Sequence, residues 1–107
     1  MIEKFRLKDQ VFVALLAYCG LVDIVEVTVS AKDGLVYTVT GIEKNELSEL
    51  KKQYVSDEGL AVSNIRKFSQ THNYVNLLAR NARRTGGWVN ADFVRLERDN
   101  AVESTED

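Results

Sequence analysis

Apolar and polar positions along the chain divide it into segments with different periods. Val11 to Cys19 is an unbroken apolar run, preceded by Asp9 and followed by Gly20. Ala14, Leu15, Leu16 and Ala17 are helix formers, Asp is a favoured N-cap, and Gly ends helices by entering the left-handed region, so the run predicts a short helix. A helix that is apolar all round cannot leave one side in water, so either the domain or a second subunit must cover both faces. Cys19, at its end, is expected to pack as a small core hydrophobe.

Two segments rich in β-branched residues follow, Leu21–Ser30 and Leu35–Thr40, joined through Ala31-Lys32-Asp33-Gly34. A two-residue turn would set apolar residues against threonines. A three-residue Lys32-Asp33-Gly34 loop pairs Val29 with Tyr37, Val27 with Val39 and Thr28 with Thr38, so this register is expected, with Gly34 left-handed.

After Gly41, Leu47, Leu50, Tyr54 and Val55 recur at helical spacing, with Asn45 as the expected cap and Gly59 beyond the end. Leu60 to Val62 is long enough only for a short edge strand. Ser63 or Asn64 opens the longest helix, to about Arg84, where Thr85-Gly86-Gly87 breaks it. At about 100° per residue, Ile65, Phe68, Val75, Ala79 and Ala82 form an inward stripe, and Arg66, Arg80 and Arg84 lie on the opposite side with Ser69, Asn73 and Asn76. Leu77 falls on the polar arc, which suggests that Trp88, the C-terminal segment or a partner covers part of this face. Asn90 is expected to cap a short C-terminal helix, with Val89 and Val94 as a staple and Phe93 and Leu96 packing inward. The predicted fold is α+β, in the order α-β-β-α-(β)-α with a hairpin packed by helices. It comprises a single domain over residues 1–98 and an acidic, disordered tail over 99–107.

Length and composition narrow this further. A chain of 107 residues suits one domain, and 45% hydrophobic with 28% charged residues is ordinary globular composition. One cysteine allows no internal disulfide. No apolar run reaches the roughly 18 to 20 residues of a membrane span, and the first residues lack the layout of a signal peptide. A cytoplasmic protein without membrane attachment is expected.

The net charge of −2 conceals a strong asymmetry. Residues 59–91 hold Arg66, Lys67, Arg80, Arg83 and Arg84 and no carboxylate, whereas residues 92–107 hold six acids against two bases. A patch acts over about a Debye length, roughly 8 to 10 Å in cellular salt, so local charge outweighs the sum.

No catalytic constellation is present. His72 is the only histidine, and it sits at the margin of an apolar stripe, where a partly buried structural role is expected. Nucleophile-elbow, phosphate-loop, dinucleotide and Cys-x-x-Cys motifs do not occur, so no enzyme activity, cofactor, metal site or small-molecule substrate is expected. The candidate binding residues are Arg66, Lys67, Arg80, Arg83, Arg84 and Trp88, with Gly86 and Gly87 beside them. They leave two classes of partner open. The first is a protein, or a second copy of the chain as a homo-oligomer. The alternative is nucleic acid, met by helix 64–84 and Gly86-Gly87-Trp88 through guanidinium–phosphate contacts and an exposed indole that stacks on a base. The plainer reading has the arginines complementing the helix C-terminus and Trp88 capping the core.

Phe5-Arg-Leu-Lys-Asp9, Ala14-Leu15-Leu16 with Gly20, the strands around Val25 and Val36-Tyr37, and then Leu47, Tyr54, Val62, Phe68 and Leu77 resemble a family of short uncharacterised domains carried by phages and bacterial mobile elements. The resemblance spans residues 5 to 78 and implies helix, hairpin, helix, short strand, helix, in a small accessory or regulatory protein. It brings no catalytic residue with it.

Overall fold

The computed structural model describes residues 3–56 and 59–91. Along the chain run β1 (Lys4–Leu7), α1 (Gln10–Tyr18), β2 (Asp23–Ser30), β3 (Gly34–Thr40), α2 (Lys44–Val55), α3 (Ile65–Thr85) and β4 (Gly87–Val89). The strands form one antiparallel sheet in the order β1-β3-β2-β4. This is the α+β class expected, with corrections to the element order.

The ends of α1 follow from local chemistry. The Asp9 carboxylate accepts from the Val11 and Phe12 N–H groups at 3.1 and 3.2 Å. At the other end Gly20 takes φ 71°. Its N–H donates to the Ala17 carbonyl, and that of Leu21 donates to Leu16, each at 3.0 Å, which is the Schellman closure of a helix. Phe12 to Leu16 are all buried within the domain itself. The all-apolar helix therefore needs no second subunit to cover it. Cys19 is exposed and unpaired, not a core residue: it is the C-cap, one position past the packed turns.

Both outer strands differ from expectation. Residues 60–62 are not a strand; the neighbour of β2 is β4, reached because Gly86 (φ 87°) reverses the chain directly after α3. The partner of β3 on its other side is β1, in which Phe5 and Leu7 pack against the core and Lys4 and Arg6 face outward.

The hairpin register is shifted by two from that expected. Val27 pairs with Tyr37, Val29 with Leu35 and Ser30 with Gly34, around the loop Ala31-Lys32-Asp33. A two-residue slip keeps every side chain on the same face, so apolar matching cannot distinguish the registers. The turn does: the Asp33 N–H donates to Ser30 Oγ at 2.9 Å, and Gly34 is left-handed (φ 71°) as expected. A bulge between Ile24 and Glu26 displaces the register once more.

Ile24, Val27, Tyr37 and Val39 form the sheet's buried contribution to the core, against Phe12, Val13, Ala14 and Leu16 of α1 and Val75, Leu78, Ala79 and Ala82 of α3. From α2, Leu47 is buried and Leu50 and Tyr54 pack beside it, but Val55 is 71% exposed and leaves the expected stripe. Glu43, not Asn45, precedes α2, and the Leu47 N–H closes the first turn on the Glu43 carbonyl at 2.9 Å. The cap thus lies two residues before the expected Asn45, where Ile42 and Leu47 are both buried. The expected helix with Phe93, Val94 and Leu96, and the tail 99–107, lie outside the described residues.

Tyr37, with no exposed surface, donates its hydroxyl to Gln10 Oε1 at 2.9 Å, and Gln10 Nε2 donates to Asn76 Oδ1 at 3.4 Å, linking sheet, α1 and α3. Burial pushes the phenol pKa up, and the Arg83 charge offsets part of this. Tyr54 is pushed up as well, first by burial and then by Asp9. In both cases the fold favours the neutral phenol. Stability is thus fully present below the ordinary tyrosine value of about 10 and is lost as pH rises through the higher folded values. Urea unfolding as a function of pH is expected to be flat in this respect through neutrality and to weaken above about pH 10. Tyr37→Phe is expected to cost about 1 kcal/mol at neutral pH and to flatten the alkaline decline. An unaltered alkaline slope in the variant would exclude Tyr37 as its source.

Candidate binding face on the third helix

Asn64 caps α3 by accepting from the Lys67 N–H at 3.0 Å, as the sequence indicates. The first turns are anchored by aromatic contacts: Tyr18 meets Phe68 edge-on at 5.8 Å and Phe68 stacks on His72 at 6.1 Å. His72 is thus the half-buried structural residue expected. The Tyr18 hydroxyl pairs with Ser63 Oγ at 3.2 Å and accepts from the Asn64 N–H at 2.9 Å, and these contacts lower its pKa. Further along, Val75, Leu78, Ala79 and Ala82 are buried. Ile65 is not part of this stripe: it is 73% exposed, because the helix begins before it reaches the sheet, and Leu78 supplies the apolar bulk instead.

Arg66, Lys67, Arg80, Arg83 and Arg84 are all exposed. Among the described residues, the ion pairs are Lys8–Asp33 and Lys52–Glu49, so none of these five cations has a described carboxylate within bonding distance. They do not share one face. Arg66, Arg80 and Arg84 fall within about 40° of one another, Lys67 lies roughly 100° round from Arg66, and Arg83 turns the other way, toward Tyr37. The strip of three is long: Arg66 and Arg80 are about 21 Å apart along the axis, and Arg84 is about 6 Å further.

Within the strip lie Ser69, Asn73 and Leu77, with Tyr74 at its margin; Leu77 is 50% and Tyr74 53% exposed. Half of Leu77 is therefore left open. Asn76 is engaged with Gln10. Tyr74 was not evident from the sequence as a site residue, because an aromatic at that spacing reads equally as core; only the seating of α3 exposes it.

Trp88 is half-buried, sits opposite Val27 in β4 and packs against the core. Gly86 ends α3 and Gly87 pairs with Thr28. The fold thus uses the indole and the glycines structurally, which matches the plainer reading of Trp88.

Comparison with family models, with curated proteins and with solved structures gave no match. Among the described residues, no helix is long and apolar enough to cross a membrane.

Proposed function

We propose that this is a small, non-catalytic accessory or regulatory protein of the phage or mobile-element type, acting in the cytoplasm by binding an acidic protein surface through the outer strip of α3. The observation that carries this reading is the grouping of Arg66, Arg80 and Arg84, unpaired among the described residues, around exposed Leu77 and Tyr74. Arginine and aromatic residues are the anchors of protein interfaces, and Lys, Glu and Asp are depleted there. A second copy docking face to face on this strip would set arginines against arginines, so a different protein is the better partner. The exposed, unpaired Cys19 suits a reducing compartment.

Nucleic acid is the second reading. It is favoured by the absence of any carboxylate from residues 59–91 and by Ser69 and Asn73 on the strip. Trp88, half-buried against the core, offers less of its ring for base stacking than a fully exposed indole.

The test is affinity capture from a lysate of the source organism, beside gel shifts on random oligonucleotides across a salt series. A captured protein is expected to be lost, by at least about thirtyfold in affinity, in both Arg80→Glu/Arg84→Glu and Leu77→Asp. Oligonucleotide binding that falls steeply with salt and ignores Leu77→Asp would establish the second reading instead.

A further inference from the structure

A separate concavity, remote in sequence from the α3 strip, lies where the outer edge of β1 meets the start of α1 and the last turns of α2. It encloses about 410 Å³ and is lined by Arg6, Leu7, Lys8, Asp9, Phe12, Lys51, Tyr54 and Val55. That size falls within the roughly 300 to 1,000 Å³ of small-ligand sites. We infer that this cleft binds a small organic anion with a flat apolar body, of the aryl carboxylate or aryl phosphate class.

Its walls determine the body. The Phe12 and Tyr54 rings lie 4.9 Å apart and tilted by 36°, and Leu7 and the exposed Val55 extend the apolar surface toward the mouth. A planar ring laid against the partly exposed Tyr54 gains offset or edge-on aromatic contact in addition to burial. Phe12, only 2% exposed and part of the core, supports the Tyr54 ring through their contact and does not meet the ligand itself.

The rim determines the head group. Among the described residues that line it, Arg6, Lys8 and Lys51 supply three cations against the single carboxylate of Asp9. Arg6 and Lys51 have no ion-pair partner among the described residues, and the Lys8–Asp33 pair, at 3.4 Å between exposed groups, holds Lys8 weakly. Asp9 is occupied: it caps α1 through the Val11 and Phe12 N–H groups, at the positive end of that helix. The Tyr54 phenol is neutral at working pH, and burial and Asp9 raise its pKa further, so it adds no negative charge beside an anion. An apolar slot whose free charges are cationic selects an anion with an apolar body over either part alone.

The experiment is a titration of the full chain, followed by two-dimensional ¹⁵N–¹H NMR, with phenyl phosphate, benzoate, inorganic phosphate and benzyl alcohol. Phenyl phosphate and benzoate are expected to give saturable shifts confined to residues 6–12 and 51–55, at roughly millimolar or tighter affinity. Inorganic phosphate and benzyl alcohol, each carrying only one half of the recognised chemistry, are expected to bind at least about tenfold more weakly. Lys51→Glu and Arg6→Glu change exposed side chains, and the same spectra report whether each variant is folded; each is expected to weaken phenyl phosphate by about tenfold or more. Arg80→Glu/Arg84→Glu is expected to leave it unchanged, which separates this site from the α3 strip. Lack of saturation, equal binding of inorganic phosphate, shifts centred on α3, or folded Lys51→Glu and Arg6→Glu variants that bind like the parent would each overturn the assignment.

Discussion

Phe12→Ala is expected to destabilise the protein by about 3 to 5 kcal/mol, the range for removing a buried phenylalanine. Phe12 lies in the first turn of α1, is 2% exposed and makes the 4.9 Å ring contact with Tyr54 of α2. It also belongs to the cluster that joins α1 to Val27, Tyr37 and Val39 of the sheet. Its removal therefore weakens two helix attachments at once. The ring contact adds about 0.5 to 1.5 kcal/mol beyond simple burial. For a domain of about this size each kcal/mol displaces Tm by roughly 4 to 8 °C, so a drop of more than about 12 °C is expected in a thermal melt. A drop of only a few degrees would mean that α1 is not seated as described.

A second pair of variants reads the orientation of α3. Val75 has no exposed surface, whereas Leu77, two residues on, is 50% exposed. Val75→Asp would bury a carboxylate inside the apolar cluster. The resulting cost of about 3 to 5 kcal/mol or more is comparable with the whole stability of an ordinary domain, so the variant is expected to be unfolded at neutral pH by circular dichroism. Leu77→Asp places the same charge in solvent near Arg80 and is expected to leave stability within about 0.5 kcal/mol of the parent. Equal damage from both substitutions would show that the strip proposed as a binding face is packed against something. Because Leu77→Asp is expected to fold, a loss of partner binding in that variant reports on the surface itself.

Much of the helical framework was legible along the chain because its signals are local. Asp9 and Gly20 mark α1, and Asn64 and Gly86 mark α3, each acting on backbone groups within a few residues. The strip of Arg66, Arg80 and Arg84 was visible for the same reason: once the segment is helical, 3.6-residue periodicity places them together. The short strands were not visible. β1 and β4, of four and three residues, exist only through β3 and β2. Val55, Ile65 and Cys19 were expected inside and lie outside, because each sits at a helix end, beyond the neighbours that bury the rest of its stripe.

The cleft beside β1 marks the limit of sequence reading most clearly. Arg6 and Lys51 are 45 positions apart and Phe12 reads as ordinary core, so nothing in the local pattern joins them. What the chain by itself determined was the α+β class, the caps of two of its helices, the faces of the hairpin and a carboxylate-free basic segment. Each depends on interactions between residues close in sequence, or on a period that any neighbour of suitable shape would satisfy. The tertiary structure alone decided the hairpin register, the two outer strands, the covering of α1 within one chain, the commitment of Trp88 to the core and the exposure of Tyr74. Those outcomes depend on which distant surfaces compete for the same apolar face, and that competition is resolved only when the helices close over the sheet.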